Sequence, residues 1–154
     1  MNAETMFSSK NHTWGTPPDF FAALHREFGF SVDAAANSTN HLLPRWYGPG
    51  GEREDALTEP WDAAETYWCN PPYGSQQAAF VAMGYNHMCV GGTSAFLLPA
   101  RTDTRLFHGL VWNRDMHKPY AGIEVRFIKG RLTFVGADAP APFPSMVVVM
   151  RGGR

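Results

Sequence analysis

With 154 residues the chain is the size of one domain, long enough to bury a core without disulfide or metal staples. A hydrophobic share of 44% against 18% charged residues excludes a disordered polyelectrolyte. The net charge of −1 excludes a global basic field, so contact with a polyanion would have to come from a local patch.

The first residues, MNAETMFSSKNH, are polar and hold no apolar core of signal-peptide length; residues 1–13 are expected to form a flexible arm. TPPDFFAALHREFGF then predicts a helix, with Thr16 as its cap, prolines in the first turn and Asp19 near the positive end of the dipole. Phe20, Phe21, Leu24 and Phe28 recur at helical spacing, and Gly29 marks the stop. FSVDAAA predicts a short strand ending in Asp33. Residues 37–65 are the least regular part, rich in turn formers, and lead into a strand at TYWC.

A tight turn, NPPYG, follows that strand, and a helix is predicted from about Ser75 to Cys89. TSAFLLP reads as a buried strand and TRLFHGLVW as a second amphipathic helix. IEVRFIKGRLTFV reads as a hairpin turning at Lys129-Gly130, and MVVVM as a last strand before a tail at 151–154. The alternation predicts a single α/β domain over 14–150, its sheet mostly parallel and flanked by helices, with a C-terminal antiparallel hairpin. Cys69 and Cys89 fit neither a zinc site nor a disulfide framework, and the histidines lack metal spacing, so no metal is expected. No stretch approaches membrane-span length, and a soluble, cytoplasmic protein is expected.

The turn carries the chemistry. Ligands of open α/β sheets bind at the carboxyl ends of strands, where Asn70, Pro71, Pro72 and Tyr73 would sit. Each proline fixes φ and removes an N–H, leaving a stiff loop whose carbonyl oxygens and Asn70 side-chain oxygen are acceptors. Two acceptors beside the flat face of Tyr73 suit an exocyclic amine on a planar ring.

Asn-Pro-Pro-Tyr resembles the fourth motif of S-adenosylmethionine-dependent amino-methyltransferases, which act on adenine N6, cytosine N4 or a glutamine amide. That resemblance implies a reduced Rossmann-like methyltransferase fold, with Asn70 and the Pro71 carbonyl holding the amine and Tyr73 stacking on a flipped base. On the cofactor side, no glycine-rich loop follows the first strand. Asp33 with Ala34 would bind the cofactor ammonium, Thr16 and Pro17 its carboxylate, and Asp55 the amine of its adenine, with Asn70 alongside. The segments TPPDFFAALHREFGFSVDAAA, EDALTEPW, WCNPPYG, LLPARTDTRLFH, FIKGRLTF and APFPSMVVV stand in the order found in small DNA N6-adenine methyltransferases of bacteriophages and prophages.

This narrower resemblance implies N6-methyladenine formation in DNA, with S-adenosylmethionine as donor, in a bacterial host cytoplasm. Arg101, Lys129 and Arg131 are expected at the DNA, Asp103 beside Arg101 to orient it, and the 143–146 segment FPSM at the border of the adenine pocket. A chain this short predicts a short or relaxed target sequence, recognised by loops such as HLLPRWYGPGGERED, and a monomer or weak dimer. The rival readings are an RNA or protein-glutamine amino-methyltransferase, and a non-catalytic nucleic-acid-binding protein with a degenerate methyltransferase fold.

Overall fold

A computed structural model describes residues 15–153; the expected arm at 1–13 lies outside the described residues. Among the described residues two α-helices and seven strands follow in order: α1 (Pro18–Phe28), β1 (Val32–Asp33), β2 (Thr66–Cys69), α2 (Gln77–Cys89), β3 (Thr93–Pro99), β4 (Trp112–Asn113), β5 (Lys118–Pro119), β6 (Ile123–Phe127) and β7 (Ser145–Arg151). Five strands make one sheet in the order β1-β2-β3-β7-β6, and β4 pairs with β5 apart from it. The β1–β2 and β2–β3 pairings are parallel; β3–β7 and β7–β6 are antiparallel. Four strands therefore run one way and β7 runs against them, wedged between β3 and β6. The expected α/β class holds, but by pairing the sheet is mixed rather than mostly parallel.

The two faces follow the period of two along each strand. Trp68, Ala95, Leu97, Val147 and Val149 face the side covered by Phe21, Leu24 and Phe30 of α1 and its exit loop. Tyr67, Cys69, Phe96, Leu98, Val148 and Met150 face the other side, against Phe80, Val81 and Met88 of α2. The central strands β3 and β7 are buried almost throughout, as expected of strands covered on both faces.

Helix α1 ends where the sequence predicts. Gly29 takes the left-handed conformation (φ 65°), and its N–H donates to the His25 carbonyl. Its start differs: Pro17 holds the cap position and no side chain caps the helix. Prolines at the first turn leave fewer N–H groups to satisfy, which frees the Thr16 hydroxyl for another partner. The segment expected as a second amphipathic helix is helical over 105–111, most of it a π-helical turn at Phe107–Val111 leading into β4.

The predicted hairpin is also corrected. Lys129 and Gly130 do form a turn, but residues 131–135 do not pair back onto β6. The partner of β6 is β7, in register from Ile123↔Met150 to Phe127↔Met146. A strand as apolar as MVVVM needs a neighbour on each edge and claims β6. The polar and aromatic run at 131–135 crosses instead to the amino-terminal segment, where the Val135 N–H donates to the Gly15 carbonyl at 2.9 Å and Phe134 is buried. The last strand runs through Arg151, one residue into the expected tail.

Helix α2 approaches the sheet through Gly84. A Cβ there would lie 2.4 Å from the Phe96 ring and 3.0 Å from Ser94 Oγ. Phe96 is fully buried and its ring has nowhere to retreat. Gly84→Ala is expected to lower stability by about 1–3 kcal/mol through overpacking, more than the roughly 1 kcal/mol gained in helix propensity. Urea unfolding midpoints test this: an unchanged or raised midpoint would contradict the close approach.

Candidate functional site

The carboxyl ends of β1, β2, β3 and β6 share one edge of the sheet, and the 128–144 segment leaves from the same edge. Asp33 ends β1 and Asn70 follows β2. Register pairs Asp33 with Trp68, which places both on the α1 face of the sheet.

Two connected spaces open at this edge. A polar niche of ≈ 20 Å³ is lined by Thr16, Asp33, Asn40, Trp68 and Asn70 among others. That is room for one water-sized or ammonium-sized group. It borders a cleft of ≈ 470 Å³ whose walls include Ala34, Ala36, Gly48, Asp55, Pro72 and Phe80. Ala35, Asn40 and Asn70 line both.

The niche is electrostatically unusual. Asp33 is only 3% exposed, and burial pushes its carboxyl up to about 6, opposed by hydrogen bonds from Leu42 N–H (3.0 Å) and Ala35 N–H (3.4 Å). Trp68, wholly buried, has an indole N–H with no hydrogen-bond partner. Asp33 and Trp68 thus both line one small space, a buried carboxyl beside a residue whose buried indole donor lacks an acceptor. Such a niche fits one charged end of an amino-acid group, an ammonium set against Asp33.

Thr16, also buried, accepts a hydrogen bond from Asn70 Nδ2 at 3.1 Å. With its amide nitrogen so engaged, Asn70 presents Oδ1 as acceptor. Pro71 is buried, Pro72 lines the cleft, and Pro17 borders neither space. Asp55 reaches the cleft wall while its Oδ1 accepts from Leu57 N–H (2.9 Å).

On the other side of Asn70, Tyr73 meets Phe143 (ring centroids 5.6 Å, 61°) and Phe134 (6.4 Å, 85°) edge-on. Burial holds the Tyr73 phenol well above its usual range, so it stays neutral. The Arg101 guanidinium stands over the Phe143 ring at 5.7 Å. Asp103 is exposed on the turn beyond Arg101. Lys129 and Arg131 are exposed on the 128–144 segment, where Arg131 Nη1 donates to the Ala141 carbonyl at 3.4 Å. Arg126 is taken up elsewhere, in ion pairs with Glu27 and Glu124. Among the described residues no group of His, Cys, Asp and Glu could hold a metal, and no helix is long and apolar enough to cross a membrane.

A family model described as DNA N-6-adenine-methyltransferase (Dam) matches residues 3–151. The chain belongs to the Dam family. No curated protein compared with it matches.

In this Dam-family chain two segments of the cleft escape motif reading. The turn after β1 lacks the expected glycines because carboxamides hold it: Asn37 Oδ1 accepts from Thr39 and Asn40 N–H, and Asn40 Oδ1 from Asn37 N–H. The signal was the Asn37-x-x-Asn40 spacing. The second is YGPGG, which reads as a mere turn. Arg45, Trp46 and Tyr47 run beside β1, with Asp33 N–H donating to the Arg45 carbonyl and Tyr47 N–H to the Asp33 carbonyl. Gly48 (φ 134°) then comes so close to Ala36 that a Cβ would overlap the Ala36 carbonyl oxygen at 1.8 Å. This loop is cleft wall: Glu54 and Asp55 line it, while Glu52 is paired with Arg45 at 2.8 Å.

Proposed function

We propose that this Dam-family protein transfers a methyl group from S-adenosylmethionine to adenine N6 in DNA, at a short or relaxed target sequence. The observation that carries the reading is the position of Asn70: its carboxamide lines the niche and the cleft on one side, and the loop it opens ends in Tyr73 among Phe134 and Phe143 on the other. A cofactor site and an aromatic platform then meet at one acceptor group.

Asp33 and the Trp68 indole N–H would hold the amino-acid end of the cofactor, and the Ala34–Ala36 stretch, Gly48 and Asp55 its nucleoside end. When bound there, S-adenosylmethionine supplies an electrophilic methyl on a sulfonium. Asn70 Oδ1 accepts one N–H of the adenine amine and the Pro71 carbonyl the other. Withdrawing both hydrogens from the ring plane localises the nitrogen lone pair, and the stiff loop fixes the direction of attack. Pro71 and Pro72 keep those acceptors free of competing backbone donors. Tyr73, half-buried at the end of the loop with Phe143 buried behind it, offers ring surface to a base taken out of its stack.

The exposed Arg101, Lys129 and Arg131 favour DNA on their side, away from Glu54 and Asp55 of the cleft wall, so recognition is assigned to the 101–105 and 128–144 segments. The test is methyl transfer from labelled S-adenosylmethionine to unmethylated DNA, with nucleosides resolved by mass spectrometry. N6-methyladenine is the expected product. Label in N4-methylcytosine, in RNA or in protein alone, or no transfer, would overturn the reading.

A further inference from the structure

Beyond Tyr73 the chain turns through Gly74 and Ser75 into α2, and there a second cleft of ≈ 530 Å³ opens on the opposite face of the sheet from the Phe134–Phe143 cluster. Leu98 and Met146 floor it, Ser75 and Gln77 form one wall, and Arg101 and Arg105 the other. Its volume and its apolar floor with a polar rim are those of a site for a small planar molecule.

Two features give the cleft a chemical preference. The Gln77 amide nitrogen is shielded from water and has no hydrogen-bond partner. The terminal amide torsion is broad, so a modest turn offers the cleft a donor or an acceptor, whichever a base edge requires. The turn that carries the two arginines is held in place: Thr104 Oγ1 donates to the Arg101 carbonyl and accepts from Phe107 N–H. The first turn of α2 has no acidic residue and no side-chain cap, so its positive end adds to the two guanidiniums. An apolar floor, an amide reader and a cationic wall match one nucleotide, base inward and phosphate at the arginines.

Arg101 settles which nucleotide. It lines this cleft and also stands over Phe143, the ring that flanks Tyr73. A strand whose target base lies against Tyr73 would pass Arg101 and present its next residue here. We infer that the Ser75–Gln77–Arg101–Arg105 cleft receives the nucleotide adjacent to the target in the same DNA strand, with Gln77 reading its base and Arg105 holding its phosphate. The inference rests on the proposed DNA reaction and names where flanking-sequence preference arises.

The experiment uses the full chain and oligonucleotides bearing one adenine with randomised neighbours, read as methylation rate per flank. The wild type is expected to show a preference of at least about fivefold for one neighbouring base, as one base-edge contact gives. Gln77→Ala should flatten that profile, and Gln77→Glu, which keeps the volume and swaps donor for acceptor, should change the preferred base. Arg105→Ala should slow all flanks alike and reduce the salt slope of DNA binding by about one. A flat wild-type profile, an unchanged profile in both Gln77 variants, or an unchanged salt slope in Arg105→Ala would each overturn the inference. If the wild type binds DNA without methylating it, the reaction reading fails. The cleft is then judged by the same comparisons on binding constants measured by fluorescence anisotropy. Absence of DNA binding overturns both.

Discussion

Asn70→Ala is expected to lower the methyl-transfer rate by roughly 10²–10³-fold, the usual effect of deleting one preorganised polar partner of a reacting group. The geometry makes the side chain hard to replace. Its nitrogen is spent on Thr16 Oγ1 at 3.1 Å, and that bond spans 54 residues of sequence to tie the amino-terminal segment to the loop after β2. The oxygen left over is the acceptor proposed for the amine, and alanine supplies neither. Water filling the gap would restore an acceptor without restoring its direction. Because Asn70 also lines the niche and the cleft, cofactor affinity should weaken too, by a few-fold rather than by orders of magnitude.

Asn70→Asp separates the two roles. It keeps an acceptor oxygen toward the amine, and the Thr16 hydroxyl can reverse and donate to the other oxygen. This variant should retain rate within about tenfold of wild type if the acceptor is what matters. Single-turnover rates with cofactor in excess, alongside calorimetric cofactor titration, distinguish the cases. A rate in Asn70→Ala close to wild type would remove Asn70 from the reaction altogether.

How far the sequence carries depends on how local each interaction is. The turn at Asn70–Tyr73, the strand before it and the helix after it were legible because prolines, glycine and an apolar run act within a few residues of themselves. Gly29 stops α1 for the same reason. The cap expected of Thr16 fails because its partner, Asn70, is 54 positions away, and nothing near Thr16 announces that its hydroxyl is needed elsewhere. The hairpin at Lys129-Gly130 failed on competition between strands. β6 can pair with either following run, and β7, apolar from Met146 to Met150, has more to lose by staying an edge. The cleft wall at Arg45–Gly48 pairs with β1 through only a few backbone bonds, too few to impose a periodic pattern. Asp33 and Asp55 were legible as candidates only through resemblance, and burial in the folded chain is what distinguishes Asp33 from its exposed counterpart.

That burial sets up opposite effects of one substitution. Asp33→Asn is expected to abolish most cofactor affinity, by about 10²-fold or more if the carboxylate faces an ammonium, while making the free protein more stable at neutral pH. The sign follows from the raised carboxyl. A group held at about 6 in the folded chain and near 3.8 when unfolded binds more protons in the folded state between those values. Stability therefore falls as pH rises from about 4 to 6, by at most about 3 kcal/mol, and stays low above that. The asparagine variant has no such slope. It gives up one acceptor, since the amide can serve only Leu42 N–H or Ala35 N–H, and the 3.4 Å bond to Ala35 is the weaker loss.

Urea unfolding of the free proteins should thus find wild type at least as stable as Asp33→Asn near pH 4 and less stable by about 1–3 kcal/mol at pH 7. Cofactor runs the other way. Its cation would favour the ionised carboxylate, so wild-type affinity should weaken roughly tenfold per pH unit as pH falls below about 6, and the affinity of Asp33→Asn should show no such break. Parallel stability curves for the two proteins across pH 4–7 would show that Asp33 is not held neutral by burial. Equal affinities for S-adenosylmethionine at pH 7 would take the cofactor's ammonium away from the niche. The fold keeps a costly buried acid at the end of β1, and cofactor binding is the event expected to offset that cost.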